Sequence, residues 1–209
     1  FSSRGRIVAT DYAESVIRSR KRLTYGQALV LMSESNNDKI RKLPAPSTRH
    51  RESTGRSLAQ LSNAELDSLR NQIRQLWKIA RRLRTRRMSK GSLELNMPEV
   101  KIYVDEGGCA ERIERVLSDE SHQLVEEYML AANESIARSL HLARLPMIYR
   151  AHDKPDPARL DEFRDLLVHL GIETGDLTVR REVVRALAQI SSHLQSHALR
   201  VEFLRTLAQ

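Results

Sequence analysis

The residues of this chain that are best suited to chemistry lie within positions 118–156, where carboxylates, an amide and several cations follow a clear helical period. Glu126 and Asn133 are spaced to share one row of the predicted helix with Leu130 and Ala137, which are apolar. A buried carboxylate or amide requires hydrogen-bond partners. Those partners are either a neighbouring segment of the protein or a bound ligand, and the spacing favours neither.

Glu127 belongs to a different row of the same helix, together with Glu134 and Arg138, whose spacing suits an exposed ion pair. A third row is apolar and is predicted to face the core; it consists of Val125, Met129, Ala132, Ile136 and Leu140. The spacing therefore predicts that Glu126 faces inward and that Glu127 faces solvent.

A short apolar stretch at 145–149 follows this helix and is predicted to be a buried strand. Cationic and titratable side chains come directly after it, namely Arg150, His152, Asp153 and Lys154. Because functional side chains often lie just beyond the end of a strand, these residues are further candidates for a site.

Two other features suggest chemistry but lack the residues that it needs. His193 and His197 have the spacing of zinc ligands on a helix, yet the glutamate of that motif and a third ligand are missing. Cys109 lies in a Gly-Gly-Cys turn with no base beside it. We interpret the two histidines as surface or core side chains and the cysteine as a turn residue.

The charge of the chain is unevenly distributed. Residues 1–91 contain 21 Lys and Arg against 7 Asp and Glu, a net charge of +14, whereas residues 92–209 carry −6. A surface this basic attracts phosphate backbones. No run of eighteen apolar residues is present, so a membrane span is not expected. One lone cysteine fits a reducing, cytoplasmic location.

The elements that must position these residues form a mixed α+β fold, mostly helices packed on a small antiparallel sheet. We predict a strand and a short helix over 1–34, with the helix at Tyr25–Ser33 capped by Thr24, and a mobile loop over 35–56. A long basic helix over 57–90 is predicted to stop at Gly91 and to precede a small β meander over 91–117, with stretches at 92–95, 100–104 and 110–116. The helical part over 118–209 includes a helix that Pro155 and Pro157 start and Gly171 closes. A hairpin is expected through Gly107-Gly108. Both ends of the chain run into regular patterns, which is the expectation for a piece of a longer polypeptide.

Five segments together resemble the catalytic RNB domain of the ribonuclease II/ribonuclease R family. They read SVIRSRKRLTYGQA, KGSLELNMPEVKIYVDEGG, ERIERV, SHQLVEEYMLAANESIA and LPMIYRAHDKPDPARLDEF, and their order and intervals fit that family across roughly residues 5–172. The resemblance implies processive 3′→5′ hydrolysis of single-stranded RNA to nucleoside 5′-monophosphates. It also implies two Mg²⁺ ions that activate water and stabilise the leaving oxygen.

The family's metal-binding motif, D-P-x-x-A-x-D-x-D-D, and its S-P-I-R-R-Y segment are both missing from this sequence. We therefore expect no catalytic residue and no metal ligand in this chain, and no nuclease activity when it is isolated. The remaining parts of the parent polypeptide are expected to be its partners. The alternative is a non-catalytic RNA-binding or scaffold module that uses the basic helix at 74–90.

The resemblance implies that Tyr25 lies near the 3′-terminal nucleotide and that the pair Glu126 and Glu127 contains a glutamate that contacts ribose. Leu95 stands where several members of the family have a phenylalanine that stacks on a base, so that contact is either weakened here or provided elsewhere. The complete set of predicted RNA-binding residues is Tyr25, Arg81, Arg84, Glu126, Glu127, Asn133, Arg150, His152 and Lys154.

Overall fold

The computed structural model describes residues 1–2, 5–19, 21–44, 57–95, 99–105, 107–116, 118–151 and 153–207. Its elements, in chain order, are α1 (Tyr25–Ser33), α2 (Asn37–Arg41), a 3₁₀ turn (Leu58–Gln60), α3 (Asn63–Ser89), β1 (Glu99–Val104), β2 (Ala110–Val116), α4 (Glu120–Leu142), α5 (Pro157–His169), α6 (Arg180–Ile190) and α7 (Ser196–Leu207). The predicted class, mostly helices with a small antiparallel sheet, is confirmed.

The chain forms two compact units. The first unit comprises Phe1–Arg86 and Ser118–Pro146, and the second comprises Arg87–Leu117 and Met147–Gln209. Within the described residues, no helix is both long enough and apolar enough to span a membrane.

In the first unit, α1 begins where the sequence predicts it, because Thr24 caps the helix. The Gln27 backbone N–H donates to Thr24 Oγ1 at 3.1 Å, and the Thr24 backbone N–H donates to Gln27 Oε1 at 3.0 Å. This reciprocal arrangement satisfies two of the N–H groups at the start of a helix that have no intrahelical partner. The position of Tyr25, the first residue of α1, is thereby determined by local sequence.

The predicted mobile loop at 35–56 is wrong for the part that the structure describes. Asn37–Arg41 form α2, which begins because the side chain of Asn36 accepts hydrogen bonds from the backbone of the first turn. Ile40 is fully buried and belongs to an apolar cluster with Leu31, Leu58 and Leu66. Burial of Ile40 therefore orders a segment whose composition suggests mobility. Residues 45–56 lie outside the described residues.

The long helix α3 is confirmed, although it begins at Asn63 rather than at 57. Arg74, one of the cations of α3, has a structural role. Its guanidinium donates to the carbonyl of Met32 at 3.0 Å and to that of Glu34 at 3.2 Å. Because both carbonyls lie at the end of α1 and have no helical partner there, this contact is a C-terminal cap. Gly91, with φ of +84°, follows the end of α3 as predicted.

No strand occurs in the described part of residues 1–34, so the predicted N-terminal strand is wrong, and Val16 and Ile17 are exposed there. The predicted strand at 145–149 is also wrong, since these residues form neither helix nor strand and Ile148 is almost fully exposed. An apolar sequence becomes a strand only where a neighbouring strand satisfies its backbone. The described sheet consists of β1 and β2 and offers these segments no such neighbour.

In the second unit, β1 and β2 pair antiparallel with Ile102 opposite Ile113. The turn passes through Gly107 and Gly108, as predicted, and Gly108 has φ of +82°. The predicted third stretch of the meander, at 92–95, is not a strand. Helices α5, α6 and α7 supply the core of this unit, which includes Phe163, Leu167, Leu187, Ile190 and Phe203.

Candidate nucleic-acid interface

The two adjacent glutamates of α4 lie in different environments. The side chain of Glu127 is 2% exposed, whereas that of Glu126 is 47% exposed. The predicted orientation of the helix is therefore wrong: Glu127 faces inward and Glu126 reaches solvent. The apolar row is misplaced in the same way, because Val125, Met129 and Ile136 are exposed.

Arg84 of α3 lies beside both carboxylates. Its Nη1 atom is 3.6 Å from Glu127 Oε1 and 4.0 Å from Glu126 Oε2, and its side chain is 15% exposed. A buried carboxylate is stable only when a cation or hydrogen-bond donors compensate for its lost hydration. Arg84 supplies such compensation for Glu127, and this ion pair links α3 to α4.

Tyr25 lies at a second cluster in the same unit. Its ring stacks on the imidazole of His122, with the centroids 3.9 Å apart and the planes inclined by 16°. His122 Nδ1 is 2.8 Å from Asp119 Oδ1, and the hydroxyl of Ser121 donates to the same oxygen at 2.5 Å. Asp119 is the N-cap of α4, so the aromatic pair is attached to the first turn of that helix.

The capping interactions also control the protonation of Asp119. Partial burial raises the pKa of this carboxyl, but hydrogen bonds from the Ser121 hydroxyl, from His122 and from two backbone N–H groups outweigh that effect. The net result is a pKa below the ordinary aspartate value of 3.8. Ionised Asp119 is therefore favoured by folding.

We expect Asp119→Ala to lower the free energy of unfolding at pH 7 by about 1 kcal/mol, the usual contribution of an N-cap. Because the native pKa is lowered, this contribution is complete above the unfolded-state pKa and disappears as the pH falls through the native pKa. Urea denaturation of wild type and variant at pH 7 and at successively lower pH below 4 measures the difference. Glu134→Ala, which removes an exposed acid of α4, is the control. If the stability difference between wild type and Asp119→Ala stayed constant with pH, Asp119 would not stabilise the helix as an ionised N-cap.

The other predicted residues are distributed over both units. Asn133 is exposed on α4, about 10 Å along the helix axis from Glu126. Arg81 is exposed on α3, close in sequence to Arg84. Arg150 and Lys154 are exposed in the second unit, and His152 lies outside the described residues. The structure thus brings Arg84, Glu126 and Glu127 together and leaves the roles of the remaining residues as predictions.

Lys154 borders a cavity of about 900 Å³ within the second unit. Most of the lining is apolar and includes Leu160, Leu177 and Phe203, while Arg180 provides a second cation. The guanidinium of Arg180 already donates to the carbonyl of Gly91. Because its lining is mostly apolar and one of its two cations is already bonded, this cavity is better suited to apolar contacts than to phosphate binding.

His122 was not among the residues predicted from the sequence. Two local features could have indicated it: Asp119 and His122 have the spacing of a capping box, and Tyr25 directly follows a second cap, Thr24. Each feature is local, but the stacking of one on the other depends on tertiary contact.

The described residues do not form a divalent metal site. Among them, no group of three or more His, Cys, Asp or Glu side chains is placed to hold a metal ion. These residues therefore do not fit the Mg²⁺ ions that the resemblance implies.

Comparison with known proteins places this chain in a family. The family described as "RNB domain" matches residues 1–209. Ribonuclease R of Escherichia coli is 28% identical over 210 residues, which covers 100% of this chain and 23% of that protein. Ribonuclease R of Aquifex aeolicus is 30% identical over 171 residues, which covers 82% of this chain and 21% of that protein. The chain thus spans less than a quarter of the length of these relatives.

Solved structures share the fold. Mycoplasma genitalium RNase R in complex with ribose-methylated single-stranded RNA aligns with a TM-score of 0.62 at 21% identity, covering 72% of this chain and 23% of that one. The complex of the same enzyme with double-stranded RNA aligns with a TM-score of 0.61 and covers 26% of that chain. Together with the family match over all 209 residues, these findings confirm the predicted resemblance: the chain belongs to the RNB domain family.

Proposed function

We propose that this chain forms an RNA-binding part of an exoribonuclease that degrades single-stranded RNA processively from its 3′ end to nucleoside 5′-monophosphates. Membership of the RNB domain family and similarity to proteins named Ribonuclease R support this proposal. One similar solved structure is a complex with ribose-methylated single-stranded RNA. In our proposal the Mg²⁺ ligands belong to other parts of the polypeptide, because the family's aspartate motif is missing from these 209 residues.

The observation that carries the proposal is the contrast between Glu126 and Glu127. The Glu126 carboxylate reaches solvent, so it can accept a hydrogen bond from a ribose 2′-hydroxyl, whereas the Glu127 carboxylate is buried. A 2′-hydroxyl is present in RNA and missing in DNA, so this contact discriminates between the two. Arg84 lies beside both carboxylates and reduces their repulsion of the RNA backbone.

The cations of α3 also support the proposal that this chain binds RNA. Arg81 is exposed one turn before Arg84, and residues 1–91 as a whole carry a charge of +14. Cations contribute affinity for phosphates that decreases with salt and does not depend on base sequence. Such binding suits an enzyme that acts on many RNA sequences.

The test compares Glu126→Ala with wild type in the full-length polypeptide that contains this chain. We expect its preference for an RNA 3′ end over a DNA 3′ end to fall roughly 10- to 100-fold, because one hydrogen bond to a charged group is lost. Binding of fluorescent oligonucleotides with either a ribose or a deoxyribose 3′ terminus measures this ratio.

Glu134→Ala is the matched control, since it removes an exposed acid of the same helix. Glu127→Ala is expected to change the ratio less than Glu126→Ala does. A larger effect at Glu127, or an unchanged ratio in Glu126→Ala, would contradict the assignment.

The isolated 209-residue chain is expected to release no nucleotides from RNA. Mg²⁺-dependent release by it would show that a metal site lies within these residues, and a full-length polypeptide that binds RNA without hydrolysing it would favour the scaffold alternative.

A further inference from the structure

Tyr25 and His122 form a stacked aromatic pair, called the platform below, whose geometry is present before any ligand binds. The two rings are nearly parallel at 3.9 Å, and Tyr25 nevertheless remains 48% exposed. Because the imidazole covers one face of the phenol ring, the surface of Tyr25 that remains exposed lies away from that face. An exposed aromatic face is the surface on which nucleic-acid bases stack.

The backbone that carries Tyr25 is held firmly. Gln27 forms both hydrogen bonds of the capping box with Thr24, and the amide of its buried side chain also donates to the carbonyl of Pro44 at 2.7 Å. The first turn of α1 is therefore attached both to its own cap and to the segment that follows α2.

The imidazole of His122 is held by Asp119, the N-cap of α4. Asp119 Oδ1 lies 2.8 Å from His122 Nδ1, and the same oxygen accepts from the backbone N–H groups of Ser121 and His122 at 2.9 Å and 3.3 Å. A carboxylate with this many donors has little rotational freedom, so its contact with the imidazole also restricts the imidazole plane. Both rings of the stacked pair therefore belong to the first turns of capped helices.

We propose that His122 is a positioning residue for RNA: it supports one face of Tyr25 so that the other face stacks on the 3′-terminal base. This inference rests on the proposed function and adds the device that orients the terminal contact. A ring held in place before binding loses less conformational entropy when a base stacks on it. Since every base has a π face, the platform selects for the presence of a terminal base and not for its identity.

The test uses the full-length polypeptide and single-stranded RNA that ends in 2-aminopurine, whose fluorescence is quenched by stacking. We expect His122→Ala to weaken binding of this RNA about fivefold and to reduce the quenching, while Tyr25→Ala weakens binding about tenfold. His122→Phe keeps an aromatic ring behind Tyr25 and is expected to retain most of the affinity. His141→Ala, an exposed histidine at the other end of α4, is the matched control.

Two further measurements separate positioning from general damage to the fold. In the Tyr25→Ala background, His122→Ala should cause no further loss, because it acts through that ring. With an RNA whose last nucleotide is abasic, wild type and His122→Ala should bind equally. If Tyr25→Ala weakens binding but His122→Ala does not, the inference about His122 is wrong and the proposed function stands. If neither the wild type nor any variant binds RNA, the proposed function itself fails.

Discussion

Glu127→Ala is expected to lower the free energy of unfolding of the first unit by about 3 to 5 kcal/mol, the range for removing one partner of a buried ion pair. The variant leaves the guanidinium of Arg84, which is largely buried, without the carboxylate 3.6 Å away. Chemical denaturation followed by the fluorescence of Trp77 measures this loss, because the only tryptophan of the sequence lies on α3 of the same unit.

Glu126→Ala is the control for this prediction, since it removes a carboxylate that is also close to Arg84 but is half exposed. We expect it to cost less than about 1 kcal/mol, as is usual for ion pairs that solvent reaches. Equal losses in the two variants would mean that burial does not distinguish the glutamates. The structural argument for assigning ribose contact to Glu126 would then be lost.

Phe203→Ala is expected to lower the free energy of unfolding of the second unit by about 3 to 5 kcal/mol. Phe203 is 1% exposed and belongs to the apolar cluster to which α5, α6 and α7 contribute, with its ring centroid 5.6 Å from that of Phe163. Truncation removes buried apolar surface and leaves a cavity that the neighbouring helices can fill only in part. Far-UV circular dichroism during urea denaturation reports the loss of these helices.

Leu194→Ala provides the comparison, because Leu194 is fully exposed between α6 and α7 of the same unit. Its substitution is expected to change stability by no more than about 0.5 kcal/mol. If Phe203→Ala were equally harmless, the second unit would not depend on this core. Tryptophan fluorescence should respond less than circular dichroism to Phe203→Ala, since Trp77 belongs to the first unit.

Features that depend on neighbouring residues in the chain could be predicted. The helix at Tyr25–Ser33 follows from Thr24 and Gln27, and the hairpin turn follows from Gly107 and Gly108. Pro157 and Gly171 likewise delimit α5, because proline suits the first turn of a helix and glycine adopts the positive φ that follows its end. In each case a short-range backbone preference suffices.

Features that depend on what packs against an element could not be predicted. The spacing of α4 is correct, but the buried face is the one with Glu127 and not the one with Val125 and Met129. A helical period shows which residues share a face, and it does not show which face meets a neighbour. Arg84, which belongs to α3, stabilises the buried carboxylate of Glu127, a group that composition alone would place in solvent.

Motifs that occur in order in the sequence were sufficient to predict the family, and local residue preferences were sufficient to predict where α1 and α5 begin. The different environments of the two glutamates of α4 and the stacking of His122 on Tyr25 became visible only in the folded chain. Capping and turn energies act over a few residues, whereas burial and stacking depend on segments that are distant in sequence.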